Sequence, residues 1–203
     1  MSTDQTAGGS PVRAARRPGW PYLAVLAGAW VVADQASKWW ANRFLAPRPG
    51  GRLELVSGLF DLDYAHNPGA AWSLLVGAPA GLRRALLLTV SLLAAAALVW
   101  MYQRLVHAPG SGAGAAPHPR LMATALALVL GGAAGNFIDR AIDGYVVDFF
   151  RAHWFEAASW PTFNVADIGI TVGVAALLVQ TLWSVRPEAR AAEGGPGQSL
   201  LGA

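Results

Sequence analysis

Four nearly uncharged stretches, at about residues 20–44, 80–102, 120–142 and 163–185, are each long enough to cross a bilayer, since roughly 20 helical residues cover the hydrocarbon core. Hydrophobic residues make up 54% of the 203 and charged ones 13%, against about 25% charged in ordinary soluble domains, so a bilayer accounts for the excess better than an aqueous core does. The expected fold is an all-α membrane protein, a four-transmembrane-helix bundle. The first stretch has a rival reading as a cleaved signal peptide, because its apolar part before Asp34 is short and follows Arg13, Arg16 and Arg17.

Between the first two stretches the pattern changes. Leu53 and Leu55 flank Glu54, Ser57-Gly58 marks a turn, and Phe60, Leu62 and Tyr64 alternate with Asp61, Asp63 and Ala65. Period two predicts strands, so a small extramembrane β-cradle is expected over about 51–75, between helices 1 and 2. Residues 1–19 and 187–203 are polar or rich in Gly, Ala and Glu and read as disordered tails around one membrane domain, 20–186. The segment 107–118 reads as a flexible loop, and another loop with Gly144 and Trp160-Pro161 follows the third stretch. The arginine cluster before the first stretch favours both termini in the cytoplasm.

Polar residues sit at one end of the bundle. Asp34 and Lys38 lie in the second half of the first stretch, Asn136, Asp139 and Arg140 near the end of the third, Asp148 just after it, and Asn164 and Asp167 at the start of the fourth. In an up-down bundle those positions share a face, and an ionisable group inside a membrane segment costs roughly 2.5–3.5 kcal/mol on insertion scales, so a collection of them reads as a functional site. Asp34 with Lys38 is also an i,i+4 ion pair, and Gly131 with Gly135 a G-x-x-x-G helix contact. Asp148 and Asp167 have no basic residue within two positions in sequence. Two carboxylates brought together in a semi-dry site cannot both ionise cheaply, which leaves one as acid and the other as base, the arrangement of aspartic proteases. Asp139 competes for the place of the second carboxylate.

Other chemistries have less support. There is no Cys, which excludes thiolate sites and a Cys nucleophile. The four histidines show no metal-ligand spacing, and no P-loop or dinucleotide fingerprint occurs, so no metal or cofactor is expected. The net charge of +3 is carried by scattered arginines, which gives nucleic-acid binding little support. Ser37 and Lys38 are adjacent rather than co-facial, which argues against a serine-lysine peptidase. A proton-coupled carrier would also use intramembrane charges, but the opposite halves of the spans are almost entirely apolar and no inverted repeat is visible. A membrane scaffold offers no reason for two unpaired carboxylates.

Four blocks carry a resemblance to a known family: Asp34-Gln35-Ala36-Ser37-Lys38; Asn67-Pro68-Gly69-Ala70-Ala71-Trp72-Ser73; Gly131 to Arg140 with Val146-Val147-Asp148-Phe149; and Phe163-Asn164-Val165-Ala166-Asp167. In order and placement the chain resembles bacterial lipoprotein signal peptidase, or signal peptidase II, over about residues 20–186. The resemblance implies an intramembrane aspartic endopeptidase of the bacterial inner membrane, multi-pass, with its site near the outer leaflet. It would cut diacylglyceryl-modified prolipoproteins just before the lipidated cysteine. It implies Asp148 and Asp167 as the catalytic pair, Asn67, Gly69, Asn136, Arg140 and Asn164 around dyad and substrate, Asp34 and Lys38 as support, and inhibition by globomycin. Trp72 stands where Phe is common in the family, and would anchor the cradle at the membrane interface.

Overall fold

The computed structural model describes residues 18–69, 77–107, 118–155 and 157–193, the last of these by backbone alone from 183 onward. Helix α1 (Trp20–Trp40) opens with Pro21 in its first turn and runs directly into a π-helical turn, Ala41–Leu45. A short 3₁₀ turn, Pro49–Gly51, leads into β1 (Arg52–Val56) and β2 (Phe60–Asn67). Helices α2 (Ala80–His107) and α3 (Pro119–Ile142) follow, then β3 (Val146–Trp154), β4 (Ala158–Ser159) and α4 (Val165–Glu193).

Among the described residues three helices, α2, α3 and α4, are long and apolar enough to cross a membrane. The fourth expected span, α1, has 21 residues, but Asp34, Gln35, Ser37 and Lys38 dilute the apolar character of its second half. α2 reaches His107, one turn beyond its expected end.

The β-cradle is larger than expected and differently built. It is a four-stranded antiparallel sheet ordered β1-β2-β3-β4, so half of its strands come from the connection between α3 and α4, where the sequence predicts a loop. The cradle is therefore not confined to the segment between helices 1 and 2. The run Tyr145 to Phe150 hides its strand character because Val146 to Phe149 are buried on both faces of the sheet, which removes the period-two alternation that marks a half-solvated strand. Residues 70–76, including Trp72 and the end of the expected cradle, lie outside the described residues, as do both expected tails up to residue 17 and from 194, and most of the 107–118 loop.

The polar face of β2 is held by diagonal ion pairs. Arg52 binds Asp61, while Arg151 lies 3.2 Å from Asp63. The His153 ring also stands 3.0 Å from the buried Asp61 carboxylate. Burial alone would raise the Asp61 carboxyl, but Arg52 and His153 outweigh it and hold it below its ordinary range. Leu62, Val147 and Phe149 share an apolar cluster with Ala41 and Leu45 of the π-turn, which seats the sheet on the end of α1.

Glycines set the helix spacing. A Cβ on Gly131 would stand 2.8 Å from the Ala27 carbonyl of α1, and one on Gly135 would collide with the Asp34 carboxylate. One residue further round α3, a Cβ on Gly132 would run into the Ala166 carbonyl and approach Ile170 to 2.9 Å, both on α4. Small residues at these positions let α3 touch α1 on one side and α4 on the other. At the opposite end of the bundle, Leu23, Ala27, Tyr102, Ala123 and Leu126 form an apolar core, and the Tyr102 hydroxyl donates to the Gly19 carbonyl at 2.8 Å.

Candidate active site

The end of the bundle beneath the sheet gathers side chains from α1, α3, α4, β2 and β3. Asp148 lies in β3, 1% exposed, opposite Ala65 of β2. Asp167 lies in the first turn of α4, where negative charge is favoured by the helix dipole. The two carboxylates are joined through Asn164, the residue just before that helix.

Asn164 is fully buried, and its side-chain amide donates to Asp148 Oδ1 at 2.7 Å. Its backbone N–H donates to Asp167 Oδ2 at 3.2 Å, while its own Oδ1 accepts from the Asp167 N–H at 3.0 Å. The second oxygen of each carboxylate takes a different asparagine: Asn67 Nδ2 donates to Asp148 Oδ2 at 3.0 Å, and Asn136 Nδ2 to Asp167 Oδ1 at 2.9 Å. Gly69 contributes through its backbone N–H, which binds Asn67 Oδ1 at 3.1 Å and so turns the Asn67 amide nitrogen toward Asp148.

Among the described residues neither Asp148 nor Asp167 forms an ion pair. Burial, with the charge of Asp167 beside it, pushes the Asp148 carboxyl up to about 7, against the opposing pull of Asn67 and Asn164. A carboxyl held near neutrality beside a second carboxylate can keep a proton while its neighbour acts as base.

Asp34 and Asp139 differ in kind. Lys38 Nζ lies 2.8 Å from Asp34 Oδ2 and 2.8 Å from Asp139 Oδ2, and all three groups are buried. Asp139 also accepts from Gln35 Nε2 at 2.8 Å and from the Val147 N–H at 3.3 Å. The Asp139 oxygens face an ammonium and two N–H donors, which ties this side chain to α1 and to the start of β3. From the sequence Asp139 competes because it too lies near the outer end of the third span; its partner Lys38, about 100 residues away on α1, is brought to it only by the fold. Gln35, which the reading did not single out, bridges Asp34 and Asp139; its position between Asp34 and Lys38 in the first block was the only available signal.

Arg140 donates from Nη1 to the Asn136 carbonyl at a long 3.4 Å, and its Nε has no hydrogen-bond partner. Its guanidinium lies within the electrostatic reach of Asp148 and Asp167 without contacting either. All nine residues singled out from the sequence, Asp34, Lys38, Asn67, Gly69, Asn136, Arg140, Asp148, Asn164 and Asp167, thus belong to one connected cluster. Among the described residues no group of His, Asp and Glu has the arrangement of a metal site.

Comparison with known proteins points one way. A family model described as Signal peptidase (SPase) II matches residues 26–183. The lipoprotein signal peptidase of Ralstonia nicotianae is 38% identical over 157 residues, 77% of this chain and 82% of that protein. The lipoprotein signal peptidase of Pseudomonas putida is 36% identical over 172 residues, 85% of this chain and 91% of that one. A bacterial membrane enzyme solved by the in meso method at 1.9 Å resolution superposes with a TM-score of 0.65 at 26% identity, covering 82% of this chain and 96% of that chain. A second such structure, at 2.3 Å resolution, gives a TM-score of 0.66 at 24% identity over 92% and 98% of the two chains.

Proposed function

This chain belongs to the signal peptidase II family, and on that premise we propose that it is an intramembrane aspartic endopeptidase whose catalytic pair is Asp148 and Asp167. Its substrates are diacylglyceryl-modified prolipoproteins, cut immediately before the lipidated cysteine. The observation that carries the reading is the Asn164 bridge: one buried asparagine binds both carboxylates, and among the described residues every other donor to them is an amide N–H rather than a cation.

The chemistry follows from that environment. With the Asp148 carboxyl raised to about 7, Asp148 holds the shared proton and donates it toward the scissile carbonyl oxygen. Asp167 takes a proton from water, and the hydroxide attacks the carbonyl carbon. As the tetrahedral intermediate collapses, Asp148 takes back the proton on the former carbonyl oxygen and Asp167 passes the proton it took from water to the leaving amine of the lipidated cysteine. Asn67, Asn136 and Asn164 hold the carboxylates at fixed angles. Arg140, whose Nε–H has no partner among the described residues, is placed to donate to a substrate carbonyl.

A membrane site suits this substrate, because its acyl chains and apolar signal helix keep it in the bilayer and bring the cleaved bond to the interface. In this reading α1 is a fourth span, residues 20–186 form the peptidase domain of an inner-membrane protein, both termini are cytoplasmic, and the dyad opens near the outer leaflet beneath the cradle. Globomycin would occupy the same site. Mass spectrometry of a diacylglyceryl prolipoprotein incubated with the purified chain tests reaction and cut position together. Asp148→Asn and Asp167→Asn should each abolish product while inserting normally, and near-wild-type turnover in either would overturn the assignment.

A further inference from the structure

We propose that Lys38 is a positioning residue that sets the distance between the Asp148 and Asp167 carboxylates, an inference that rests on the dyad reading above. Lys38 does not touch either carboxylate. Its ammonium has three N–H donors and three acceptors: Asp34 Oδ2 at 2.8 Å, Asp139 Oδ2 at 2.8 Å and Asn136 Oδ1 at 3.0 Å.

Each acceptor leads to the dyad by one further bond. Asp34 Oδ1 accepts the backbone N–H of Ala166 at 2.8 Å, and Ala166 is the residue before Asp167. Asp139 Oδ2 accepts the backbone N–H of Val147 at 3.3 Å, and Val147 is the residue before Asp148. The two carboxylates on Lys38 thus hold the two segments that carry the dyad, one at the start of α4 and one at the start of β3. The third acceptor fixes the Asn136 amide: with Oδ1 occupied by Lys38 and by Asn164 Nδ2 at 3.1 Å, the amide nitrogen must face Asp167. Gln35 ties the arrangement across, donating to Asp34 at 3.2 Å, Asp139 at 2.8 Å and the Gly135 carbonyl at 3.2 Å.

A lysine serving only to neutralise Asp34 would need one contact, and the i,i+4 spacing already supplies it. The extra bonds reach α3 directly and, through the two carboxylates, α4 and β3. A buried ammonium is costly unless its geometry is excellent, which makes this centre stiff rather than adaptable. The separation of two reacting groups is the quantity such stiffness protects, because a misplacement of about 1 Å can cost roughly 100-fold in rate.

The test uses the full chain in detergent with a diacylglyceryl lipopeptide, measuring kcat, KM and thermal unfolding for each variant. Lys38→Met should lower kcat by roughly 100-fold with KM within about threefold, since the acyl chains and signal helix bind away from the dyad. It also leaves two buried carboxylates uncompensated, so it is paired with Lys38→Met/Asp139→Asn, which restores the net charge of the cluster. That double variant should regain unfolding temperature while its kcat stays at least about tenfold low. If kcat per folded molecule instead returns with stability, Lys38 is only a packing residue and the inference fails. Should neither variant fold, Asp139→Asn alone decides, because it keeps the Lys38–Asp34 pair and weakens the hold on Val147. A drop in its kcat of about tenfold at constant KM supports the proposal, and an unchanged kcat overturns it. Asp148→Asn separates the two layers: if it is active, the dyad reading has failed; if it is inert while Lys38→Met is fully active, only the positioning role has.

Discussion

Replacing Asp148 by Asn should inactivate the protein and at the same time stabilise it, in a manner that depends on pH. Unfolded, the Asp148 carboxyl ionises near its ordinary value of 3.8; folded, burial and the charge of Asp167 raise it to about 7. Between these values the native state binds more protons than the unfolded chain, so stability falls as pH rises through that window and levels off above it. At 1.36 kcal/mol per unit, the ionised carboxylate costs the fold about 4 kcal/mol at about pH 8 and only about 1.5 kcal/mol at about pH 5. An amide at this position removes the cost at both. It also leaves one mismatched donor against Asn67 Nδ2, a loss of about 1 kcal/mol that does not vary with pH. The variant should therefore exceed wild type by about 3 kcal/mol at about pH 8 and be within about 1 kcal/mol of it at about pH 5. Denaturant unfolding in detergent at the two pH values measures both differences. A gap between variant and wild type that is the same at the two pH values would refute the raised carboxyl, and with it the assignment of the acid to Asp148.

Two further outcomes test the scaffold. Gly132→Ala places a methyl against the Ala166 carbonyl and within 2.9 Å of Ile170, one helical turn below Asn136. It should push α4 from α3, cost about 1–3 kcal/mol of stability and lower cleavage by roughly 100-fold, checked by thermal unfolding and lipopeptide turnover. Tyr102→Phe removes the hydroxyl bonds to the Gly19 and Pro18 carbonyls at the far end of the bundle. It should lower stability by about 1 kcal/mol and leave turnover unchanged, which the same two measurements report.

Much of the site could be read before any coordinates because its signals are local or chemical. The Asp34–Lys38 contact follows from helical spacing alone, and an acidic residue in an apolar run announces itself by its cost. The helices α2, α3 and α4 were legible for the same reason, since a long apolar run has few alternatives to a span. The sheet was half legible. β1 and β2 alternate, but Val146 to Phe149 are covered on both faces and carry no alternation, so the strand holding Asp148 looked like the end of a loop.

What the chain alone determined, then, is which residues are expensive to bury and which of them share a helical face, because those depend on side-chain chemistry and on a period of 3.6. Only the tertiary structure decided how the carboxylates are divided. Asp139 and Asp148 are the same residue type nine positions apart, yet Lys38, from a helix about 100 residues earlier, pairs with one and leaves the other to asparagines. That division arises from glycine-mediated contact of α3 with α1, whose partner helix the G-x-x-x-G step does not name, and from the pairing of β2 with β3, a long-range event with no trace in local spacing.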